Sequence, residues 1–570
     1  MKRYIITAAI LMTNVLVFAQ KKVVNEEINI TKEREIAIPK ATKLTEKIAT
    51  VKSETKEKKM NYSFFDRKPT GIEEGSFSPV ITQPLDNKAN KREDVEAFDN
   101  YLKLGVGNYG RIYGEGYINS AQDRNFVYGL SVLHNSTRKG PVDGNKSAQS
   151  LTKIGVDGKY HQSTYELKLD AGYENRGYYF YGYDTTVTNN YTREDLRQRL
   201  NIYNFGVTIE NTKPKPKIDY KLTTGIYSLN DYYSASEFDW ATQLHTAFPI
   251  FEDRIKAVVN AEAYVTQMSD NQIDNPTRKR NLLRLEPAFN FDFGSFSARV
   301  GFKAVSQSDP YINENRTKGY PTATLTYKTP AMVYIFAGID GDIIRNTMRS
   351  FLNENQWLRP QVTIQNTYKN RDYFLGARGE MFSGVSFNIK GSYGKLQDLY
   401  YFDQYDGATF SPLGVPLNVT KYEVVYDEKE VDFFNGSLEL GYSGFDFWKP
   451  NIKVDYNYYS KGTYDKPLHR PAVTGRFGNT ITLTDRLVST VDLYYIGGIF
   501  ARNESVGPPN YETTVKLKDI VDLNAEFTYL FSKHLAAFVK MNNIIGKNYQ
   551  RYYNYPQLGL NFLAGINIAL

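Results

Sequence analysis

The 570-residue chain has no cysteine and only five histidines. Without cysteine there is no disulfide, no thiolate metal site and no cysteine to carry a lipid anchor. The histidines, His134, His161, His245, His469 and His534, lie scattered, with neither an i, i+4 pair nor an HExxH signature. No Gly-x-Ser-x-Gly elbow occurs, and with so few histidines a Ser or Thr nucleophile would need an isolated base. The sequence therefore offers no catalytic, cofactor-binding or metal-ligating residues, and it reads as a non-enzyme. Long apolar runs are missing too. Past residue 20 nothing approaches the ~18 apolar residues of a membrane helix, and mean hydropathy is −0.50. Charge is nearly balanced, 70 Lys and Arg against 63 Asp and Glu, for a net +7. With no strongly basic domain, nucleic acid is excluded as a partner.

Tyrosine is what the chain has in abundance: 46 Tyr beside 33 Phe. Such rings suit positions half in an apolar layer and half in water. Residues 1–19 combine Lys2 and Arg3 with an apolar run from Ile5 to Phe18 and a Val17-Phe18-Ala19 cleavage site, the pattern of a secretory signal peptide. Residues 20–96 are charged at first, then carry scattered Tyr62, Phe64, Phe65, Pro69, Pro79 and Pro84. They predict a largely disordered or extended segment. Its glutamates, among them Glu26, Glu33 and Glu54, dilute its lysines, so a partner-binding or lumen-filling tail is expected rather than a lipid anchor.

From Ala97 to Leu570 apolar and polar residues alternate in strand-length segments. Tyr165, Leu167, Leu169, Ala171 and Tyr173 share one face, and Glu166, Lys168, Asp170 and Glu174 the other. In the last segment Leu558, Leu560, Phe562, Ala564, Ile566 and Ile568 oppose Gln557, Asn561, Gly565 and Asn567. A period of two means β-strands with one apolar and one polar face. A soluble sandwich and a membrane barrel both make such strands, and the connections separate them. Tight turns fall near 122, 162, 213–216, 251, 294, 329, 383, 443, 484 and 532. Between them come loops near 136–148, 183–195, 269–278, 344–365, 398–430, 501–514 and 547–556, with shorter ones near 109, 230, 313 and 463. Short turns at one end and long loops at the other are the layout of a transmembrane β-barrel. Ten turns and eleven loops join about 22 strands, within a range of 20 to 24, and residues 97–570 form the barrel.

Tyr178 to Tyr183, Tyr232-Tyr233, Tyr400 to Phe402, Tyr456 to Tyr459, Tyr494-Tyr495 and Tyr552 to Tyr555 cluster where strands meet loops, the expected place of an aromatic girdle. The polar face mixes signs, with Glu166, Lys168, Lys256, Glu262, Lys390, Lys453 and Asp455, and shows no preference for anions or cations. Gly105-Val106-Gly107-Asn108-Tyr109-Gly110 matches G-x-G-x-x-G, but strand-like sequence follows it, so it reads as a hairpin rather than a nucleotide site. Asp270 to Asn275 offers oxygen ligands but lacks the EF-hand glycine and glutamate, and reads as a polar loop.

The stretch Phe538-Val539-Lys540-Met541-Asn542-Asn543-Ile544-Ile545-Gly546-Lys547-Asn548-Tyr549-Gln550, followed by Tyr555-Pro556 and a terminal strand, resembles the last hairpin of TonB-dependent outer-membrane receptors. The resemblance implies the outer membrane as location, its lipid as surroundings and solute transport as function. Those receptors carry a plug longer than residues 20–96 and an N-terminal coupling box that is not evident here. The resemblance is therefore to a plugless relative of the kind associated with Bacteroidota. A barrel of this width must be filled, by its loops, by the leader or by a periplasmic or outer-membrane partner protein. The solute is not named by the sequence. A structural or assembly subunit of a larger outer-membrane complex is the alternative.

Overall fold

The computed structural model describes residues 100–569 apart from 121–124, 187–188, 214–215, 252–253, 271–276, 311–313, 382–383, 406, 408 and 503–513. The expectations for residues 1–99 and for the polar loop after Asp270 lie outside the described residues.

Among the described residues, 22 antiparallel strands form one sheet that closes on itself. Each strand pairs with its neighbours in sequence, and the first, Tyr101–Gly107, pairs with the last, Asn561–Ala569, through rungs from Tyr101↔Ala569 to Gly107↔Leu563. Closure removes the edges that an open sheet would leave unpaired in lipid. The period-two faces fall as the sequence implies. Leu102, Leu104 and Val106 point outward, while Lys103 points inward and is buried. In the final strand Phe562 and Ile566 face outward, and Asn561 and Asn567 face the lumen.

Outward apolar side chains continue around the wall, for example Leu130, Val156, Phe205, Leu285, Val300, Leu325, Leu375 and Ile389. A soluble protein rarely exposes an apolar patch beyond a few hundred Å², whereas an unbroken belt of this kind is the lipid-facing surface of a transmembrane barrel. At the turn end the belt closes with Phe251, Phe293, Phe296, Phe445, Phe447 and Phe531, and Phe293 remains 63% exposed. No helix is long and apolar enough to cross a membrane among the described residues.

The lumenal face is charged and internally paired. Lys168 meets Glu166 at 3.0 Å and Glu210 at 2.6 Å, and Lys453 meets Glu439 at 3.1 Å. Arg284 lies between Glu262 and Asp342, and Lys303 between Asp340 at 2.9 Å and Asp342 at 3.3 Å. These pairs cancel charge locally, which matches the mixed signs in the sequence. The G-x-G-x-x-G run is the outer hairpin between Tyr101–Gly107 and Arg111–Asn119, with Tyr109 and Gly110 at φ 58° and 63°.

One strand departs from the wall. Glu314–Lys328 and Tyr334–Ile344 pair only from Lys328↔Tyr334 to Ala323↔Ile339. Beyond Asp340 the second strand bulges and stays paired with Thr367–Met381 alone. At the bulge a Cβ on Gly341 would lie 2.4 Å from the Tyr320 ring. Glycine lets this strand tuck against Tyr320 and lead its loop to the inner side of the wall.

Candidate functional site: a cap built from the long loops

The long loops form one apolar core. Tyr178 comes from the end of the strand Tyr165–Tyr179, Phe180 and Tyr181 from the connection after it, and Met348, Phe351, Leu352, Trp357 and Ile364 from the 345–366 loop. Phe402, Val419 and Tyr422 come from the 398–430 loop, and Tyr552 and Tyr555 from the 543–560 loop. These connections leave the rim at widely separated points of a 22-strand ring, roughly 40 Å across by strand spacing and tilt. Segments rooted so far apart share one core only by reaching across the mouth.

Each loop has a local reason for its shape. Thr347 caps the helix Met348–Glu354 with a reciprocal box: Thr347 Oγ1 accepts from the Ser350 N–H at 3.0 Å, and the Thr347 N–H donates to Ser350 Oγ at 2.8 Å. Met348, Phe351 and Leu352 then share a face at helical spacing and enter the core. The N–H groups of Met348 and Arg349 donate to the Glu237 carboxylate on the inner wall, at 2.7 and 3.1 Å. Arg280, also on the wall, binds Asp309 at 2.8 Å, the Asn346 carbonyl at 2.9 Å and Asn366 at 2.8 Å. In the 398–430 loop, Tyr400–Gln404 and Tyr422–Tyr426 pair as a small hairpin.

Phenol groups then stitch loop to loop. Tyr422 Oη donates to the Tyr553 carbonyl at 2.7 Å, Tyr552 Oη to the Glu354 carbonyl at 2.6 Å, and Tyr181 Oη to the Pro556 carbonyl at 3.1 Å. Tyr555 Oη donates to the Thr420 carbonyl, and Trp357 stacks on the Tyr555 ring with centroids 4.3 Å apart. Tyrosine suits this because its ring fills the core while its hydroxyl satisfies a carbonyl that the loop cannot pair itself. Tyr183 and Val419 form an antiparallel bridge between two loops, and Leu358 and Tyr422 a parallel one.

His469 lies at the junction of three loops. Nδ1 donates to the Phe402 carbonyl at 2.8 Å, Nε2 is 3.4 Å from both Tyr422 Oη and the Tyr553 N–H, and the Arg551 guanidinium donates to the His469 carbonyl at 2.7 Å. Complete burial holds its imidazole neutral, pushed down to about 3. Nearby, Lys421 lies over the rings of Phe180 and Tyr233, and burial pulls its ammonium down to about 8. Burial raises the Asp231 carboxyl to about 6. Arg470 donates to the Tyr400 carbonyl at 3.1 and 2.9 Å and stacks on that ring.

This core corrects the reading of the aromatic clusters. Tyr178, Tyr181, Tyr233, Tyr401, Phe402, Tyr552 and Tyr555 are buried in the loop layer rather than ringing the membrane interface. Outward rings near the loop ends of the strands take that place instead, including Tyr203, Tyr373, Tyr393, Tyr456 and Tyr495. Tyr456, Tyr458 and Tyr495 do face outward, but Tyr459 packs on a loop core, Tyr494 is buried and the loop clusters are internal, because a tyrosine has the same signature in a loop core as at an interface. The histidines stay dispersed: His134 lies on the outer wall beside Thr152, His161 beside Glu166, His245 beside Asn260 and His534 by the Ala569 carbonyl. No group of three potential metal ligands forms among the described residues.

No family model and no curated protein matches the chain. Solved structures do. The FrpB iron transporter from Neisseria meningitidis (F5-1 variant) matches with a TM-score of 0.63 at 9% identity, over 82% of this chain and 82% of that one. The siderophore receptor PirA from Acinetobacter baumannii gives 0.62 at 12% identity, over 83% and 80%. The copper transporter OprC gives 0.59 at 12% identity, over 83% and 80%. What the likeness establishes is the fold, a large β-barrel of the architecture these receptors and transporters share.

Proposed function

We propose that the protein carries a solute across the outer membrane and that the loop cap is its gate. The supporting observation is the shared core: loops from opposite parts of the rim are joined by apolar packing and phenol-to-carbonyl hydrogen bonds. Each such bond contributes about 1 kcal/mol net, and burying each aromatic ring adds roughly 1.5–3 kcal/mol. These contacts favour the closed arrangement over that of separated loops, and a ligand or partner opens the cap by binding the open arrangement better. Structural neighbours named as an iron transporter, a copper transporter and a siderophore receptor support a transport role without naming the solute here.

The cysteine-free sequence makes the test clean. Tyr183 and Val419 are bridge partners, and such pairs have the Cα separation that a disulfide needs. In proteoliposomes at a urea concentration that loosens the loops while the barrel stays folded, Tyr183→Cys/Val419→Cys should admit small hydrophilic solutes faster when reduced than when oxidised. Equal rates in the two states, with the disulfide verified, would contradict gating by the cap and favour a scaffold subunit.

A further inference from the structure

The outer face of the wall changes chemistry rung by rung across the strands Phe126–Thr137, Gln149–His161, Tyr165–Tyr179 and Arg197–Asn211. One outward rung is Leu130, Val156, Ala171 and Phe205, and the next is Val132, Ile154, Tyr173 and Tyr203. Above them come His134, Thr152, Asn175 and Asn201, then Ser136, Ser150, Gly177 and Arg199. Lipid-contacting aliphatics thus give way to an aromatic step, an amide and hydroxyl step, and a ledge of small residues ending in an arginine.

Over that ledge is an outward hollow of about 140 Å³ whose lining includes Arg193, Arg197 and Arg199 and no carboxylate. Arg193 lies on the Tyr179 ring, and Arg197 pairs with Glu194 at 3.0 Å outside the lining. Gly177 leaves the floor open beside Arg199, where a Cβ would meet Ser150 Oγ at 2.7 Å. Four residues separate Arg199 from Tyr203, roughly 13 Å along a strand, or about 10 Å in height at the usual tilt. With the tyrosine step at the interface, the arginines stand in the headgroup layer on the lipid side of the wall, where a solute bound for the lumen does not pass.

We propose that this hollow binds the phosphate of an outer-leaflet lipid headgroup. Guanidinium forks match a phosphate's oxygens and stay charged at any physiological pH. The three cations offset by Glu194 suit the charge of −1.5 to −2 that a phosphate monoester carries at about pH 7. The hydroxyls of Ser136 and Ser150 add neutral donors on the floor. The orientation rests on the membrane-barrel reading, with the long loops outside.

The test uses the full chain in non-ionic detergent, with phosphorylated lipid A and its fully dephosphorylated form as probes, and bound lipid counted by native mass spectrometry. The protein should prefer the phosphorylated lipid by roughly tenfold or more, and Arg197→Gln/Arg199→Gln should erase that preference. Arg371→Gln, which removes one charge elsewhere on the outer wall, should keep it. Heat-modifiable gel mobility verifies that each variant is folded, and Arg199→Gln alone provides a milder second variant. An unchanged preference in both Arg199 variants, or none in the parent chain, overturns the proposal. Full displacement by millimolar inorganic phosphate overturns it too, because the site would then serve a soluble anion. Lipid preference is read without any flux, so its failure and the failure of the transport reading are separate results.

Discussion

At the scale of single residues, His469 gives the cap a pH dependence of defined sign. Its imidazole is held down to about 3 in the closed cap, against about 6.5 when exposed. Between those values the opened cap binds a proton that the closed cap refuses, so closed-state stability falls as pH drops. Above about pH 6.5 the contribution is complete, and below it about 1.4 kcal/mol is lost per pH unit until about 3. Asp231, held up to about 6, takes up a proton in the closed cap below that pH and offsets this loss, so in an Asp231→Asn background limited proteolysis of the loops from pH 7.5 to 4.5 should show increasing cleavage. His469→Gln, which still offers a donor toward the Phe402 carbonyl, should flatten the profile, and a profile unchanged by the substitution would remove His469 as its source. None of this was legible in the sequence, where His469 is one of five scattered histidines. What distinguishes it is the set of loops packed around it, and no local pattern encodes that.

At the scale of elements, the 345–366 loop depends on its short helix and on the glycine that admits it to the inner side of the wall. Thr347→Ala removes the cap of Met348–Glu354 and should cost about 1 kcal/mol. Hydrogen exchange should rise in the 345–366 loop while the barrel strands stay protected. Gly341→Val should cost more, roughly 1–3 kcal/mol from overpacking against Tyr320, and a crystal structure should show the loop displaced. A variant with native loop exchange would show that Gly341 only tolerates the bulge. Strands, turns and the two faces were legible because they obey local rules. Residues two apart share a face, and Gly294, Thr329-Pro330 and Ser443-Gly444 mark turns wherever the alternation pauses. The division of tyrosines was not legible. Tyr495 and Tyr552 are the same amphipathic residue beside a strand end, and only the tertiary fold sends one to lipid and the other to a loop core.

At the scale of the whole molecule, the barrel sets two surfaces against each other. Outside is an apolar wall with an arginine ledge at the loop end, and inside a lumen of paired charges beneath an aromatic cap. The strand number followed from counting turns and loops, and closure through Tyr101↔Ala569 satisfies the count. Loops folded over the mouth were one of three ways to fill it that the sequence allowed, and the core these loops share supports that one. The most direct measurement of the gate is planar-bilayer conductance of the purified full chain beside Trp357→Ala/Tyr555→Ala, which removes the stacked pair at the centre of the cap. The parent should stay closed and the variant should show discrete open steps. A variant whose loops have become protease-sensitive and which still carries no current would contradict the claim that the cap is what gates this barrel.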